Sequence, residues 1–405
     1  MVTSGSSHAA EKPYWLTTAP PPQWQTTSPP VVPATADIVI VGGGIVGLSA
    51  ALWAARIGAS TVILEQQEFS CGATSRNIGV MLFGGGQLDR SDLLERVCAE
   101  EQITERPQIV GHISLIDSMK YVEIVEEESK ARPDAVAILS HADCERLLGT
   151  RVDRRFIAGR WARGGMVVDP VRFACGIAAA AARRGANLVA GHKVLHVTSR
   201  RGAVITDLGA TAIRSRAAII AAAYGASELV PGLAEVLYPR SGHVWRAECP
   251  QGTFGPAMAV NFGDIYWRQL GDGTILLGGD DGPDWRSERE PPKEPGTGPR
   301  RRRRSALTDF FLKSFPQLPE VRPVGRWTGT MTCTTDGRPI IGPVPWRPGI
   351  WLMTGFGGHG LPPALYAGMM CVRAALGVGL PAHSDFARYA LTRFTQLTWP
   401  DGPAA

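Results

Sequence analysis

Three glycines in the stretch "DIVIVGGGIVG", residues 37–47, are spaced to hold a phosphate. Gly42, Gly44 and Gly47 occupy the G-x-G-x-x-G positions. The first permits a tight turn, the second leaves room for a pyrophosphate, and the third lets a helix lie close on the preceding strand. Ile45 and Val46 open that helix, whose free N–H groups and positive end would face the phosphates. Glu65 closes the run "STVILE" and is followed by Gln66. A carboxylate there can accept two hydrogen bonds from an adenosine ribose and would repel a 2′-phosphate, so NADP is disfavoured. Both FAD and NAD satisfy this fingerprint, and the choice between them must come from other parts of the chain.

The elements that must position these residues follow from pattern. A strand from Asp37, a helix from Ile45 to Ile57 and a strand from Thr61 to Leu64 make one βαβ unit. In "VVDPVRFACGIAAAAARRGANLVAG" a second helix is bounded by Asp169 as N-cap, Pro170 at its first position and Gly185 as its stop. "RAAIIAAAYGAS" reads as a buried strand ending in a glycine turn. Residues 91–149 hold amphipathic helical stretches such as "SDLLERVCAEEQI", while 238–280 alternate like antiparallel strands in "GHVWRAE", "DIYWRQL" and "TILLGG". Residues 283–304 read as a loop, and "ALTDFFLKSF" resumes as helix.

The expected fold is therefore α/β with an α+β substrate lobe: a Rossmann-like dinucleotide-binding domain into which an antiparallel-sheet substrate domain is inserted. The division expected is an extended arm at 1–35, a binding domain from 36–90, 150–230 and 325–405, and a substrate domain from 91–149 and 231–324. The proline-rich arm is read as unable to form helix, with Tyr14, Trp15 and Trp24 able to dock on the body.

Composition excludes several classes. Lys and Arg number 42 against 37 Asp and Glu, a net +5, and the run Arg300 to Arg304 supplies five of the basic residues. Five arginines in one Pro/Gly-flanked loop are not a phosphate-backbone surface spread over a face, so nucleic acid is not expected as a partner. The seven cysteines are scattered without a C-x-x-C pair, so no metal site is expected and reduced thiols in a cytoplasmic protein are. Nowhere do enough uncharged apolar residues run together to span a membrane.

Two further stretches decide the cofactor. "CGATSRNIG" (71–79) follows the second strand, and "TTDGRPIIGPVPWRPGIWLMTGFGGHG" (334–360) lies near the C-terminus. With the glycine loop they resemble the D-amino-acid oxidase family, the flavoenzymes that include glycine, sarcosine and some amine oxidases; the likeness covers residues 36–380, and "YWLTTAP" looks like the arm of some bacterial members. The resemblance implies FAD. It would put Thr74, Ser75, Arg76 and Asn77 over the pyrophosphate and flavin edge, the Val194 backbone at the adenine, and Ala222 and Ala223 along the dinucleotide. The "GFGGHG" turn, with Gly355, Gly357, Gly358, His359 and Gly360, would face the pyrimidine end of the flavin. A helix from Leu361, with Pro362 and Pro363 in its first turn, would aim its positive end there. The position at which some relatives anchor flavin through cysteine falls on Gly329, not Cys333, so noncovalent FAD is expected and Cys333 is read as a small buried residue.

The resemblance also implies the substrate side. Arg268 and Tyr266 come from a strand expected to face the flavin, and His243 comes from a neighbouring one; alternation allows only one set per strand to face the cavity. Arg268 could clamp a carboxylate in bidentate fashion or lie on the outer face. His359 could act as an acid/base or serve only through its turn, and Trp327 could line the cavity or simply pack. Met331 stands where glycine and D-amino-acid oxidases carry a carboxylate-gripping arginine, and Leu276 where sarcosine oxidases carry an oxygen-activating lysine. The expected activity is oxidation of a C–N bond of an amine or N-substituted amino acid to an imine, with O2 or another acceptor reoxidising the flavin. The alternatives are a hydroxy-acid dehydrogenase, or a flavoprotein subunit acting only with a partner. The oligomeric state is not legible.

Overall fold

The computed structural model describes residues 12–18, 31–83, 88–261, 263, 265–279, 309–318, 321–380, 384 and 386–395. The Arg300 to Arg304 run and Trp24 lie outside them.

The glycine loop sits at the end of the central strand of a sheet. Thr35–Val41 pairs in parallel with Thr61–Leu64 on one side and with Ala212–Ile220 on the other. Asn187–Val189 extends the sheet beyond Thr61–Leu64, and Ile350–Thr354 adds in parallel beside Ala212–Ile220. Residues 38–41 and 62–64 form unbroken apolar runs buried at every position, as strands covered on both faces must be. Three helices cover one face: Ile45–Arg56, Pro170–Arg183 and Ala364–Ala375. The first and last cross closely because Gly368 has no side chain; a Cβ there would stand 2.9 Å from the Ala50 amide nitrogen.

A second sheet, among the described residues, runs in the order Arg322–Thr334, Leu237–Glu248, Thr274–Gly279, Ile265–Gln269, Ala257–Val260, His112–Ile116, Ala158–Ala162, Val136–Ser140. Its alternation sorts side chains by face. Trp245, Ala247, Trp267, Ile275 and Leu277 share one core with Phe254, Phe311 and Phe315. Val244, Leu276 and Trp327 pack on the opposite face, toward the first sheet, with Tyr266 against them. The two sheets meet through this face and, at its end, through Leu237, which joins a core of the first sheet.

Several expectations shift. Ala158–Ala162 and Arg322–Thr334 pair in the second sheet, so the chain changes sheets later than the expected divisions at 150 and 325. The arm is not wholly extended: Tyr14–Thr18 forms one helical turn directly after Pro13, where a fixed φ favours helix entry. The C-terminal helix begins at Ala364, after the two prolines and not at Leu361. All seven cysteines are free thiols, and no helix among the described residues is long and apolar enough to cross a membrane.

Candidate dinucleotide site and the sheet face opposite

The three fingerprint glycines are required for different reasons. Gly42 has φ +110°, and a Cβ there would lie 2.5 Å from the Ala221 carbonyl oxygen; a Cβ at Gly47 would lie 1.9 Å from the Gly42 carbonyl oxygen. Both are demanded by the protein's own packing. At Gly44, apart from its chain neighbours, the only atom among the described residues within 4 Å of a Cβ would be Thr74 Oγ1, at a tight 3.3 Å. The protein's own packing crowds Gly44 less than Gly42 or Gly47, so the space it leaves open is suited to a close-approaching pyrophosphate. Gly43 was not singled out in the sequence, yet a Cβ there would meet the Phe69 ring at 2.5 Å. The triple-glycine run was the signal.

Around this loop, the Gly43 amide donates to Glu65 Oε2 at 2.7 Å and the Gln67 amide to Oε1 at 2.9 Å, which fixes the carboxylate at the end of its strand. Gln66 is exposed beside it. The His192 amide donates to the Glu65 carbonyl, bringing the segment before Val194 alongside, while Val194 itself is buried. An open groove of about 460 Å³ lined by Gln67, Glu68, Cys71 and Gly191 adjoins. The Ile45 amide, at the start of the helix, donates to Thr74 Oγ1 at 3.0 Å, so the Thr74–Asn77 turn lies directly over the helix N-terminus. Ser75 is fully buried there.

The other two candidate segments arrive at the same end of the sheet. Ala222 leads into Ala223, which adopts φ +51°, a strained conformation for a residue with a Cβ; its carbonyl accepts from Thr354 Oγ1 at 2.8 Å. Nothing in an Ala-Ala-Ala run announces that strain. In the glycine turn, the Gly357 amide donates to the Thr332 carbonyl at 2.8 Å, and a Cβ at Gly360 would come to 3.7 Å from Val46. Gly355, Gly357 and Gly358 all have positive φ. A Cβ at Gly358 would meet Met331 Sδ at 2.6 Å, so Met331 packs under the turn. His359 is exposed, with Nδ1 3.0 Å from the Gly357 carbonyl of its own turn.

The sheet face opposite sorts the substrate-side candidates. Tyr266 pairs with Gly278, whose missing side chain makes room for the phenol ring. Burial pushes that phenol up, so it stays neutral at physiological pH, and the charge of Arg240 partly offsets the rise. Met331 pairs with Arg240, and Gly329 with Gly242. A Cβ at Gly329 would stand 2.7 Å from Arg76 Cβ, so a cysteine there would collide with this turn. Burial raises the Cys333 thiol, which is consistent with a packing residue.

Two expected members do not join the set. His243 has the parity of Trp245 and Ala247, which face the phenylalanine core, and so lies on the far side of its strand from Tyr266. Arg268 shares the parity of Tyr266 but is neither a free clamp nor an outward arginine. Its Nη1 donates to the carbonyls of Ile78 (3.3 Å), Gly79 (3.0 Å) and Val168 (2.9 Å), and its guanidinium lies 5.5 Å from the Trp15 ring centroid. Burial draws its pKa down to about 10, which leaves it charged. Trp15 was expected to dock, but the sequence carried no hint of which groups it binds. No group of metal-ligating side chains exists among the described residues.

Comparison with known proteins gives the same direction. A family profile described as "DAO: FAD dependent oxidoreductase" matches residues 37–374. A probable oxidoreductase, OrdL, of Rhizobium meliloti (strain 1021) is 25% identical over 84% of this chain and 83% of its own. Gamma-glutamylputrescine oxidoreductase of Escherichia coli (strain K12) is 24% identical over 85% and 84%. The crystal structure of glycine oxidase from Geobacillus kaustophilus superposes with a TM-score of 0.76 at 19% identity, over 89% of this chain and 99% of that one.

Proposed function

Because the chain belongs to the DAO family of FAD-dependent oxidoreductases, we propose that it oxidises a C–N bond of an amine or N-substituted amino acid to an imine, which water then hydrolyses. Bound noncovalently, FAD would accept the hydride. Gly42, Gly44 and Gly47, with the N-terminus of the Ile45–Arg56 helix, would hold its pyrophosphate, and Glu65 its ribose. Val194, Ala222 and Ala223 would flank the dinucleotide, and Thr74–Asn77 with the Gly355–Gly360 turn would border the flavin. The names of two relatives, a glutamylputrescine oxidoreductase and a glycine oxidase, support oxidation next to nitrogen.

The observation that carries this reading is the chemistry of the face opposite the cradle. Around Tyr266 it is built of Val244, Leu276, Gly278, Trp327 and Met331, with Arg240 on the same face across from Met331 and no carboxylate or imidazole among them. Oxidation of a hydroxy acid requires a base to take the hydroxyl proton as hydride leaves carbon. An amine that arrives neutral pushes with its own lone pair and needs none. The neutral Tyr266 phenol can hydrogen-bond and orient the substrate.

Met331, in place of the expected arginine, makes glycine and simple D-amino acids poor substrates although its cross-strand partner Arg240 keeps a cation on this face, and the apolar Leu276 makes reoxidation by O2 slow beside that by a better acceptor. Product analysis tests the proposal: turnover of an amine panel should release a carbonyl compound trapped by a hydrazine. Release of a keto acid from hydroxy acids, with none from any amine, would overturn it.

A further inference from the structure

The segment over the helix N-terminus is held in an unusual way. Four consecutive carbonyl oxygens, from Arg76 to Gly79, each accept a hydrogen bond from a side chain distant in sequence. Trp327 Nε1 donates to Arg76 O at 3.0 Å, and Trp15 Nε1 to Asn77 O at 2.7 Å. Arg268 Nη1 donates to both Ile78 O and Gly79 O. The three donors come from the N-terminal arm and from two strands of the second sheet. Between Ser75 and Val80 the segment has no ladder or helix of its own; the Gly79 carbonyl also accepts the Val168 amide at 2.9 Å, and for the other three carbonyls these side chains do the work that regular structure does elsewhere.

The donors are themselves fixed. Trp15 is 3% exposed and lies edge-on to Tyr14, whose hydroxyl donates to Asp272 at 3.0 Å; Arg172 Nη2 caps the turn at the Thr18 carbonyl, 3.0 Å away. Arg268 lies over the Trp15 indole, so the cation and the arm support each other. Inside the segment, Asn77 Nδ2 donates to Thr74 O at 2.8 Å and Asn77 Oδ1 accepts from the Gly79 amide at 2.7 Å. Any shift at Asn77 is therefore passed to Thr74, which contacts the first helical amide through its hydroxyl.

We propose that Trp15, Arg268 and Trp327 form a carbonyl clamp that positions the Thr74–Gly79 segment against FAD, with the N-terminal arm as a strap that must be docked for the cofactor site to be complete. The proposal rests on the FAD reading above and assigns Arg268 to positioning, not to substrate binding. A strap of this kind couples the order of the arm to cofactor retention and to the surroundings of the flavin. Losing one buried donor from the clamp should weaken FAD binding roughly tenfold.

The test uses the full-length chain and Trp15→Phe, which keeps the aromatic packing and removes only the N–H donor, beside a form lacking residues 1–19. Apoprotein is titrated with FAD, and the visible circular dichroism of the bound flavin is recorded. The clamp predicts that both variants raise the FAD Kd, the truncation more, and that both alter the flavin dichroism. Should the truncated form fail to fold, Trp15→Phe decides alone. A Trp15→Phe protein with wild-type Kd and dichroism overturns the clamp, and so does one that only melts at a lower temperature, because a purely structural tryptophan would do that. Failure of the wild-type protein to bind FAD would instead overturn the cofactor assignment.

Discussion

Gly44 and Glu65 do separable jobs that single substitutions can distinguish. Since a Cβ at Gly44 would meet only the Thr74 hydroxyl, at 3.3 Å, Gly44→Val should lower the melting temperature of the apoprotein less than Gly47→Val does yet retain no FAD on purification. Wild-type flavin occupancy would show that the pyrophosphate lies elsewhere. Glu65 already accepts the Gly43 and Gln67 amides, so Glu65→Gln weakens both the loop and the ribose contact. FAD affinity should fall by about 1.5–3 kcal/mol, the scale of a hydrogen bond to a charged group, with no change in the flavin spectrum. Titration of the apoprotein reads both quantities. At Arg268 the structure reverses the expectation: Arg268→Met takes the side-chain donor from the Ile78 and Val168 carbonyls and leaves Gly79 with the Val168 amide alone, so it should impair amines with and without a carboxylate alike. A rise in KM confined to carboxylate-bearing substrates would return Arg268 to the substrate side.

At the scale of elements, the caps were legible and the irregular segments were not. Asp169 was expected as an N-cap, and its Oδ1 accepts the amides of both Val171 (3.0 Å) and Arg172 (2.9 Å) at the head of the Pro170–Arg183 helix. Asp169→Ala should therefore cost about 1–2 kcal/mol, read as a lower urea midpoint with unchanged slope. An unchanged midpoint would mean that solvent satisfies those amides equally well. The strand, glycine turn and helix of the loop were readable because periodicity and local turn chemistry set them. Trp15 on Asn77 and Arg268 on Gly79 were not, because contacts spanning tens to hundreds of residues leave no local pattern. Strand alternation allowed only one set per strand to face the cavity without saying which, and only the cross-strand register, Tyr266 on Gly278 and His243 on Gly279, puts the two on opposite faces.

For the whole molecule, two sheets meeting through one face tie stability to groups far from the cofactor. His112, 2% exposed on a strand of the second sheet, is held down to about 3, first by burial and then by the nearby charge of Arg160. The folded protein keeps that ring neutral while the unfolded chain protonates it near its ordinary value of 6.5. Stability is thus complete above that pH and falls as the solution is acidified toward 3, by up to about 1.4 kcal/mol per pH unit. Thermal melts between pH 6.5 and about 5, above the carboxylate range, should show the slope in wild type and a flatter one in His112→Gln. Equal slopes would place the acid sensitivity elsewhere. What the joined halves do together is read most directly by anaerobic mixing of the purified flavoprotein with a panel of amines, N-substituted amino acids and hydroxy acids, followed by the visible absorption of the flavin. An amine or N-substituted amino acid should bleach the flavin and hydroxy acids should not; bleaching by hydroxy acids with every amine inert would overturn C–N oxidation as the activity.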